Sequence, residues 1–445
     1  MTDPSVLVEE LMRLAESGDV AAFRERAEQV HPSDLSDAFA ALDEDLRVRL
    51  VRELPAGVVS EALAEMEPEE RPSRVLEALS DEEAADIVDE LATDDAADVI
   101  AELPPERADT ILRLVDDREE IEDLLRYDEE SAGGIMTTEL VSVHEAATAE
   151  ETIEEIRRRS EEIDDFYQVY CVSDDGKLVG VLSLRRVVGV PAYTPVRDVM
   201  EPAPVIVTPD QDQEQVARSM ARYNVAAVPV VDHTGVLLGR ITFDDVIDVV
   251  EAEQTEDLLK FGGAGGDETL GGGWVDAIRK RLPWLLVNLL TASMAALIIR
   301  LFQDTIEALL VLAVLGPVIA GMGGNAGTQA LAVTVRRVAL GLAPREHGLQ
   351  IVRKELLVGL VNGLAVGLIV GAVAAMIGAD RMLGFVVMLA MWGNIVVAGV
   401  AGASIPLVLE KLGLDPAVAS SVFVTAFTDM FGYFLILGLA TALIL

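Results

Sequence analysis

Cysteine is nearly missing from this chain. Cys171 stands alone among 445 residues, so no disulfide framework within the chain can hold the fold. Histidine is scarce and scattered: His31, His144, His233 and His347 make no His/Cys zinc cluster. None of them lies in an HExxH pattern, which excludes an intramembrane zinc protease, and no enzyme is expected. Lysine is scarce too, with five (Lys177, Lys260, Lys280, Lys354 and Lys411) among 34 basic residues. With a formal net charge of −42, the chain repels phosphate, which excludes a nucleic-acid partner. The opening stretch "MTDPSVLVEELMRLAESGDVAAF" is acidic and amphipathic, without the basic start and apolar core of a secretory signal. The front of the chain is therefore expected in the cytoplasm.

What is there divides sharply. From Asp276 onward there are nine acidic and eleven basic residues, which leaves 67 acidic and 23 basic residues in the first 275. The front is strongly acidic and the back nearly neutral, the mark of a solvated part joined to a lipid-embedded part. Carboxylate-rich, lysine-poor surfaces are a usual halophile signature, and some of the same carboxylates can also form cation sites.

Residues 50–115 carry a short repeat in which Leu54, Met66, Leu79, Leu91, Leu103 and Val115 recur every twelve or thirteen positions. Between them lie acidic, alanine-rich helical stretches. "SDEEAADIVDEL" is typical: Ser80 and Glu83 fit a capping box, and Ala84, Ile87, Val88 and Leu91 form one apolar face. One short helix per unit predicts a stacked array whose units bury their faces only against neighbours. A longer repeat follows. "GGIMTTELVSVHEAATAEETIEEI" through "VYCVSDDGKLVGVLSLRRVV" is echoed by "VRDVMEPAPVIVTPDQDQEQVARSM" through "VPVVDHTGVLLGRITFDDVIDVV". Each copy reads as strand, helix, strand, glycine turn (Gly176, Gly235), strand and helix. This pattern resembles a tandem pair of CBS domains, a regulatory ligand-binding module to which a nucleotide can bind. "VVEAEQTEDLLKFG" then reads as an acidic helix, and the glycine-rich stretch up to Gly273 as a flexible linker.

The remainder holds five apolar stretches, at 282–302, 306–335, 355–378, 382–409 and 417–445. Each can span a hydrocarbon core of roughly 30 Å, which takes about 20 residues. Arg279, Lys280, Arg281, Arg336, Arg337, Arg345, Arg353, Lys354 and Lys411 fall on one side of these spans, and Arg300 and Arg381 on the other. The basic-rich side is expected to face the cytoplasm, with the acidic domains, and the C-terminus to lie outside.

Three features inside the spans stand out. Gly359, Gly363, Gly367 and Gly371, four apart, read as a helix-packing stripe. "GPVIAGMGGNAGTQA" puts five glycines, a proline, Asn325 and Gln329 in the second span and reads as a helix broken to expose carbonyl oxygens. Asp429 is a lone carboxylate in "VFVTAFTDMFGYFLILGLA", costing at least about 2.5 kcal/mol at membrane depth unless it faces protein or water. Carbonyl, amide and carboxylate oxygens are hard donors suited to Mg²⁺ or Ca²⁺. An anion pore would use Arg/Lys rings or helix N-termini, and a non-conducting tether would need neither Asp429 nor a broken span.

The order of parts, with "PVIAGMGGNAGTQ" and the Asp of "TAFTDMFGY", resembles the MgtE family of magnesium channels and transporters over essentially the whole chain. The resemblance implies a multidomain membrane protein. It would have an all-α superhelical N-terminal domain (1–130), an α/β tandem CBS pair (131–190 and 191–250), a connecting helix with linker (246–275) and an all-α five-helix transmembrane domain (276–445). It implies a lipid-embedded homodimer whose pore binds hydrated Mg²⁺ at Asp429, helped by Gly321, Gly324 and Thr425, with Asn325 nearby. It also implies regulatory Mg²⁺ sites at Asp94 and Asp98, at Asp212, Glu214, Asp245 and Asp248, and at Glu253, Glu256 and Asp257. Asn224 stands where the family pattern has an acid, and Ser421 where it has an amide. The same oxygen donors leave Mn²⁺, Co²⁺ and Ca²⁺ open as substrates.

Overall fold

The computed structural model describes residues 4–66, 70–160, 163, 167–264, 266, 268, 273–340, 348–378, 380–416 and 420–445. The chain divides into two compact units, Met1–Ala252 and Glu253–Leu445.

Among its described residues the first unit begins with ten short helices: α1 (Pro4–Ser17), α2 (Val20–Ala27), α3 (Pro32–Ala41), α4 (Glu44–Val51), α5 (Ala56–Ala64), α6 (Ser73–Glu77), α7 (Asp81–Val88), α8 (Thr93–Ala101), α9 (Pro105–Leu112) and α10 (Arg118–Leu124). None is long enough to be stable alone in water. Each rests on the helix two places on, α1 on α3, α3 on α5, α5 on α7 and α7 on α9, which is the stacked array that the repeat requires. The six repeating apolar residues from Leu54 to Val115 are all buried. They close each helix against the next, and the capping box forms, with Ser80 N–H donating to Glu83 (2.8 Å) and Glu83 N–H to Ser80 Oγ (3.2 Å).

The second repeat folds as two copies of one motif. In the first, β1 (Ser142–His144) runs parallel to β2 (Gln168–Val172), which pairs antiparallel with β3 (Leu178–Ser183); α11 (Ala149–Arg159) and α12 (Leu184–Gly189) flank them. In the second, β4 (Ala227–Val231) pairs antiparallel with β5 (Leu237–Thr242), Val207 bridges Val230 in parallel, and α13 (Gln213–Tyr223) and α14 (Phe243–Gly262) follow the same order. Each copy's sheet is extended by the segment that leads into the other copy: Thr137 bridges Arg240, and Glu201 bridges Val181. Gly180 and Gly239 permit these crossings, because a Cβ there would lie 2.9 Å from Glu201 O and 2.5 Å from Thr137 O respectively. One apolar core runs from Leu11 through the helical array to Val246 and Val249 of α14, so the array and the second copy share an interior.

Among the described residues of the second unit, five helices are long and apolar enough to cross a membrane: α15 (Trp274–Leu301), α17 (Val311–Ala339), α18 (Gly348–Gly378), α19 (Arg381–Lys411) and α20, counted from Ser421 to Leu443. A short α16 (Gln303–Ala308) follows α15. The helices overrun several of the apolar stretches at their charged ends, since α15 takes in Arg279, Lys280 and Arg281 and α18 takes in Arg353 and Lys354. The 359–371 stripe does what its spacing suggested: Cβ atoms at Gly359, Gly363, Gly367 and Gly371 would sit 2.6–3.0 Å from the α19 backbone. α19 is the most enclosed span, with α17, α18 and α20 all against it.

Candidate cation sites

The second span corrects the sequence reading. "GPVIAGMGGNAGTQA" is not broken; Gly316 to Ala330 lie within the single helix α17. In a bilayer every backbone polar group must be satisfied internally, and a continuous helix does this even through five glycines. The glycines serve contact instead. A Cβ at Gly316 would lie 2.8 Å from the Tyr433 ring, one at Gly323 2.2 Å from Asn394 Nδ2 and one at Gly327 2.5 Å from Val424. Gly321 and Gly324 differ: among the described residues, nothing lies within 4 Å of a Cβ at either. With Asn325 and Gln329 they form the other face of α17, and Gly321, Asn325 and Gln329 are exposed. The α17 carbonyls are therefore helical ones left uncovered, not ones released by a break, and that of Gly324 also accepts from Thr328 Oγ1 (2.9 Å).

Asp429 lies on α20, half-buried. The contacts Gly316–Tyr433, Ala320–Gly432 and Gly327–Val424 fix an antiparallel register between α17 and α20. In that register residues 321–325 stand opposite residues 425–431, so the Asp429 stretch and the open glycine face lie at one level. Thr425 is exposed on the same helix, and its carbonyl accepts from Thr428 Oγ1 (2.9 Å). Sequence reasoning missed Asn394, a lone amide in the fourth apolar span; it is fully buried on α19, donates through Nδ2 to Ile319 O (2.9 Å), and its Oδ1 has no partner among the described residues. Its amide is wedged between Gly323 and Gly432, the one nitrogen lying 2.2 and 2.9 Å from where their Cβ atoms would stand.

A second group of carboxylates lies in the first unit, where α8 meets the start of α14. Thr93 anchors the junction, its hydroxyl 3.1 Å from those of Thr137 and Thr138. Asp94 is buried, and its Oδ1 has no partner among the described residues. Burial, with Asp95 and Asp245 beside it, raises its pKa well above the ordinary value. Asp95 is pushed up to about 8 by burial and by Asp245, Asp98, Asp244 and Glu139. Asp98, at the more open edge, is pushed up to about 7 by loss of solvation and by Glu129, Asp245 and Glu102. Asp245 is raised by burial despite the Thr242 hydroxyl bond (2.6 Å) that favours its charged form. Three of the expected regulatory acids, Asp94, Asp98 and Asp245, thus come together. Asp95, Asp244, Glu129, Glu102 and Glu139 join them; the first could have been read from the "TDDAAD" doublet, whereas the others needed the fold. The donor set is all hard oxygen and holds an orphaned buried carboxylate atom, which fits a divalent cation. Among the described residues no three Asp, Glu, His or Cys side chains are arranged to hold a bare metal ion, so an ion here would retain waters.

Asp212 caps α13, accepting from Gln215 N–H (3.1 Å), and Glu214 pairs with Arg218 (3.2 Å). Asp248 lies exposed on α14. Asn224 closes α13 in the left-handed conformation (φ 52°), which asparagine tolerates better than an ordinary side chain. In the second unit Glu253, Glu256 and Asp257 lie on the last turns of α14, near Asp415. Lys260 stands among them, 2.5 Å from Glu256 and 2.6 Å from Asp415.

Comparison with known proteins agrees with this layout. Family profiles match "MgtE intracellular N domain" at 30–130, "CBS domain" at 132–192 and 196–252, and "Divalent cation transporter" at 316–439. The magnesium transporter MgtE of Thermus thermophilus is 34% identical over 444 residues, 98% of each chain. That of Enterococcus faecalis is 37% identical over 311 residues, 70% of this chain and 68% of its own. Among solved structures, the cytosolic domain of the Mg²⁺ channel MgtE in complex with ATP aligns with TM-score 0.51 and 38% identity, covering 54% of this chain and 99% of that one. The soluble part of a magnesium transporter aligns with TM-score 0.52 and 30% identity, covering 56% and 99%. The chain belongs to the MgtE family of magnesium transporters.

Proposed function

We propose that this chain carries Mg²⁺ across the cell membrane through a homodimeric pore and that cytosolic Mg²⁺ closes it. The observation that carries the reading is Asp429, a carboxylate in an otherwise uncharged span, level with the uncovered face of Gly321, Gly324 and Asn325. A polar face on a membrane helix is costly toward lipid and favourable toward a water-filled path. A second copy of the chain across that face would enclose such a path. Mg²⁺ gives up its waters reluctantly, so one carboxylate per chain plus amide and carbonyl oxygens suits a hydrated ion better than a tight cage would.

The α8–α14 cluster supplies the gate. Mutual repulsion holds its carboxylates apart or protonated; a divalent ion removes that repulsion and draws α8 onto α14. By linkage, the ion closes the pore only to the extent that it binds the closed arrangement more tightly. The acidic unit lies in the cytoplasm with the basic ends of the spans, the C-terminus lies outside, and the CBS pair offers a nucleotide site.

The test is Mg²⁺-dependent growth rescue in a strain without its own magnesium transporters. Asp429→Ala is expected to abolish rescue while the purified variant keeps its size and thermal transition. Normal rescue by that variant would sink the pore assignment. Uptake assays with Mn²⁺, Co²⁺ and Ca²⁺ decide whether the oxygen donors serve those ions as well.

A further inference from the structure

Family resemblance assigns Glu253, Glu256 and Asp257 to a regulatory cation, yet the structure puts a side chain of this protein among them. Two helices end here in the same way. α14 closes on Gly263 (φ 74°), with Ala264 N–H donating to Leu259 O and Gly263 N–H to Lys260 O. α19 closes on Gly413 (φ 74°), with Leu414 N–H donating to Leu409 O and Gly413 N–H to Glu410 O. Both are Schellman ends, each presenting the negative pole of a helix. Asp415 follows the second of them directly. Two negative helix ends and the carboxylates Glu253, Glu256, Asp257 and Asp415 therefore crowd one place; burial and these neighbours push the Asp257 pKa up, against the pull of Lys260.

We propose that Lys260 is a built-in cation that fastens the end of the connecting helix α14 to the loop between α19 and α20, standing where a divalent ion would otherwise be needed. Its ammonium contacts Glu256 and Asp415 at once, with its side chain only 16% exposed. The chain also folds back over the pair, since a Cβ at Gly266 would come within 2.6 Å of both Glu256 Oε1 and Lys260 Cε. Lys411, in the last turn of α19, is exposed and is not the bridging group. A mobile ion must be bound from solution and leaves when its concentration falls; a tethered ammonium does neither. The latch therefore holds this joint without metal, and Mg²⁺ control is left to the α8–α14 cluster. Partial burial also protects it from the screening that weakens exposed pairs in salt.

The inference rests on the gating reading above, but its test does not use transport. Leu258 and Leu412, both well exposed, are replaced by cysteine in a Cys171→Ala background of the full chain and spin-labelled. Labelled protein is diluted with unlabelled so that only intrachain distances report. Pulsed electron resonance should give a narrow 258–412 distance distribution in EDTA. Lys260→Gln should lose the narrow peak in EDTA and regain it in millimolar Mg²⁺, and Lys260→Arg should keep it throughout. A parent protein that needs Mg²⁺ to show the narrow peak, or a Lys260→Gln variant that shows it in EDTA, would overturn the latch. Failure of Mg²⁺ to restore the peak in Lys260→Gln would overturn the claim that the lysine stands in for a divalent ion. Uptake that ignores cytosolic Mg²⁺ would instead strike the gating reading alone.

Discussion

Replacing Asp95 by asparagine keeps its shape and removes its charge from the crowded junction of α8 and α14. Its pKa is raised from 3.8 to about 8 by burial and neighbouring carboxylates. The sign follows from proton counting. Between these two values an Asp95 exposed by separation of the junction is ionised while the enclosed one holds its proton. Separation is therefore favoured increasingly as pH rises through that window, and closure as it falls. At pH 7.5 almost four decades of proton affinity are in play, each about 1.4 kcal/mol, so the carboxyl disfavours closure by on the order of 5 kcal/mol. A divalent ion gains a similar amount by neutralising it, and should release protons as it binds. Hydrogen-exchange mass spectrometry of the full chain reads this directly, with rates corrected for intrinsic pH dependence. The parent protein should show weak protection of residues 93–101 at pH 8 in EDTA and strong protection at pH 6 or with Mg²⁺. Asp95→Asn should be protected at pH 8 in EDTA, with most of the Mg²⁺ response gone. If the variant exchanges as fast as its parent there, or keeps the full Mg²⁺ response, carboxylate repulsion is not what opens the junction.

Two glycine substitutions separate packing from passage. Gly402→Ala places a Cβ 2.4 Å from Gly327 O, a backbone atom, so α17 and α19 must part; a loss of about 1–3 kcal/mol is expected, read as a lower unfolding temperature in detergent. Gly321→Ala meets nothing within 4 Å among the described residues and should leave or slightly raise stability, while cutting Mg²⁺ uptake by crowding the open face; unchanged uptake would remove Gly321 from the path. Ser80→Ala breaks the capping box at the head of α7 and should cost about 1 kcal/mol, measurable as faster exchange in that helix.

Much of this was legible in the residues. Apolar runs of membrane length, a period of twelve or thirteen residues and a duplicated strand–helix pattern are all local signals, because burial repeats with the secondary structure that carries it. The glycine spacing of α18 was equally readable, since residues four apart share one helix face. The 316–330 stretch departs from its expected break for a physical reason. Glycine and proline break helices in water, where backbone groups have another partner, and in a bilayer that alternative is absent. Composition could not show which glycines touch a neighbour and which stand open, because that depends on where α19 and α20 lie.

The acids show the same division. Composition and order along the chain suffice to crowd its front with carboxylates and to leave one carboxylate alone in the last span. Which of them act together depends on the folding of distant segments against one another. That folding brought Asp94, Asp95 and Asp98 of α8 against Asp244 and Asp245 of α14, residues some 150 positions away along the chain. It gave Asp212 and Glu214 structural partners of their own, and it set Lys260 beside Asp415 across 155 positions. Charge is a property of composition, but electrostatic energy depends on distance and burial, and the folded chain fixes both.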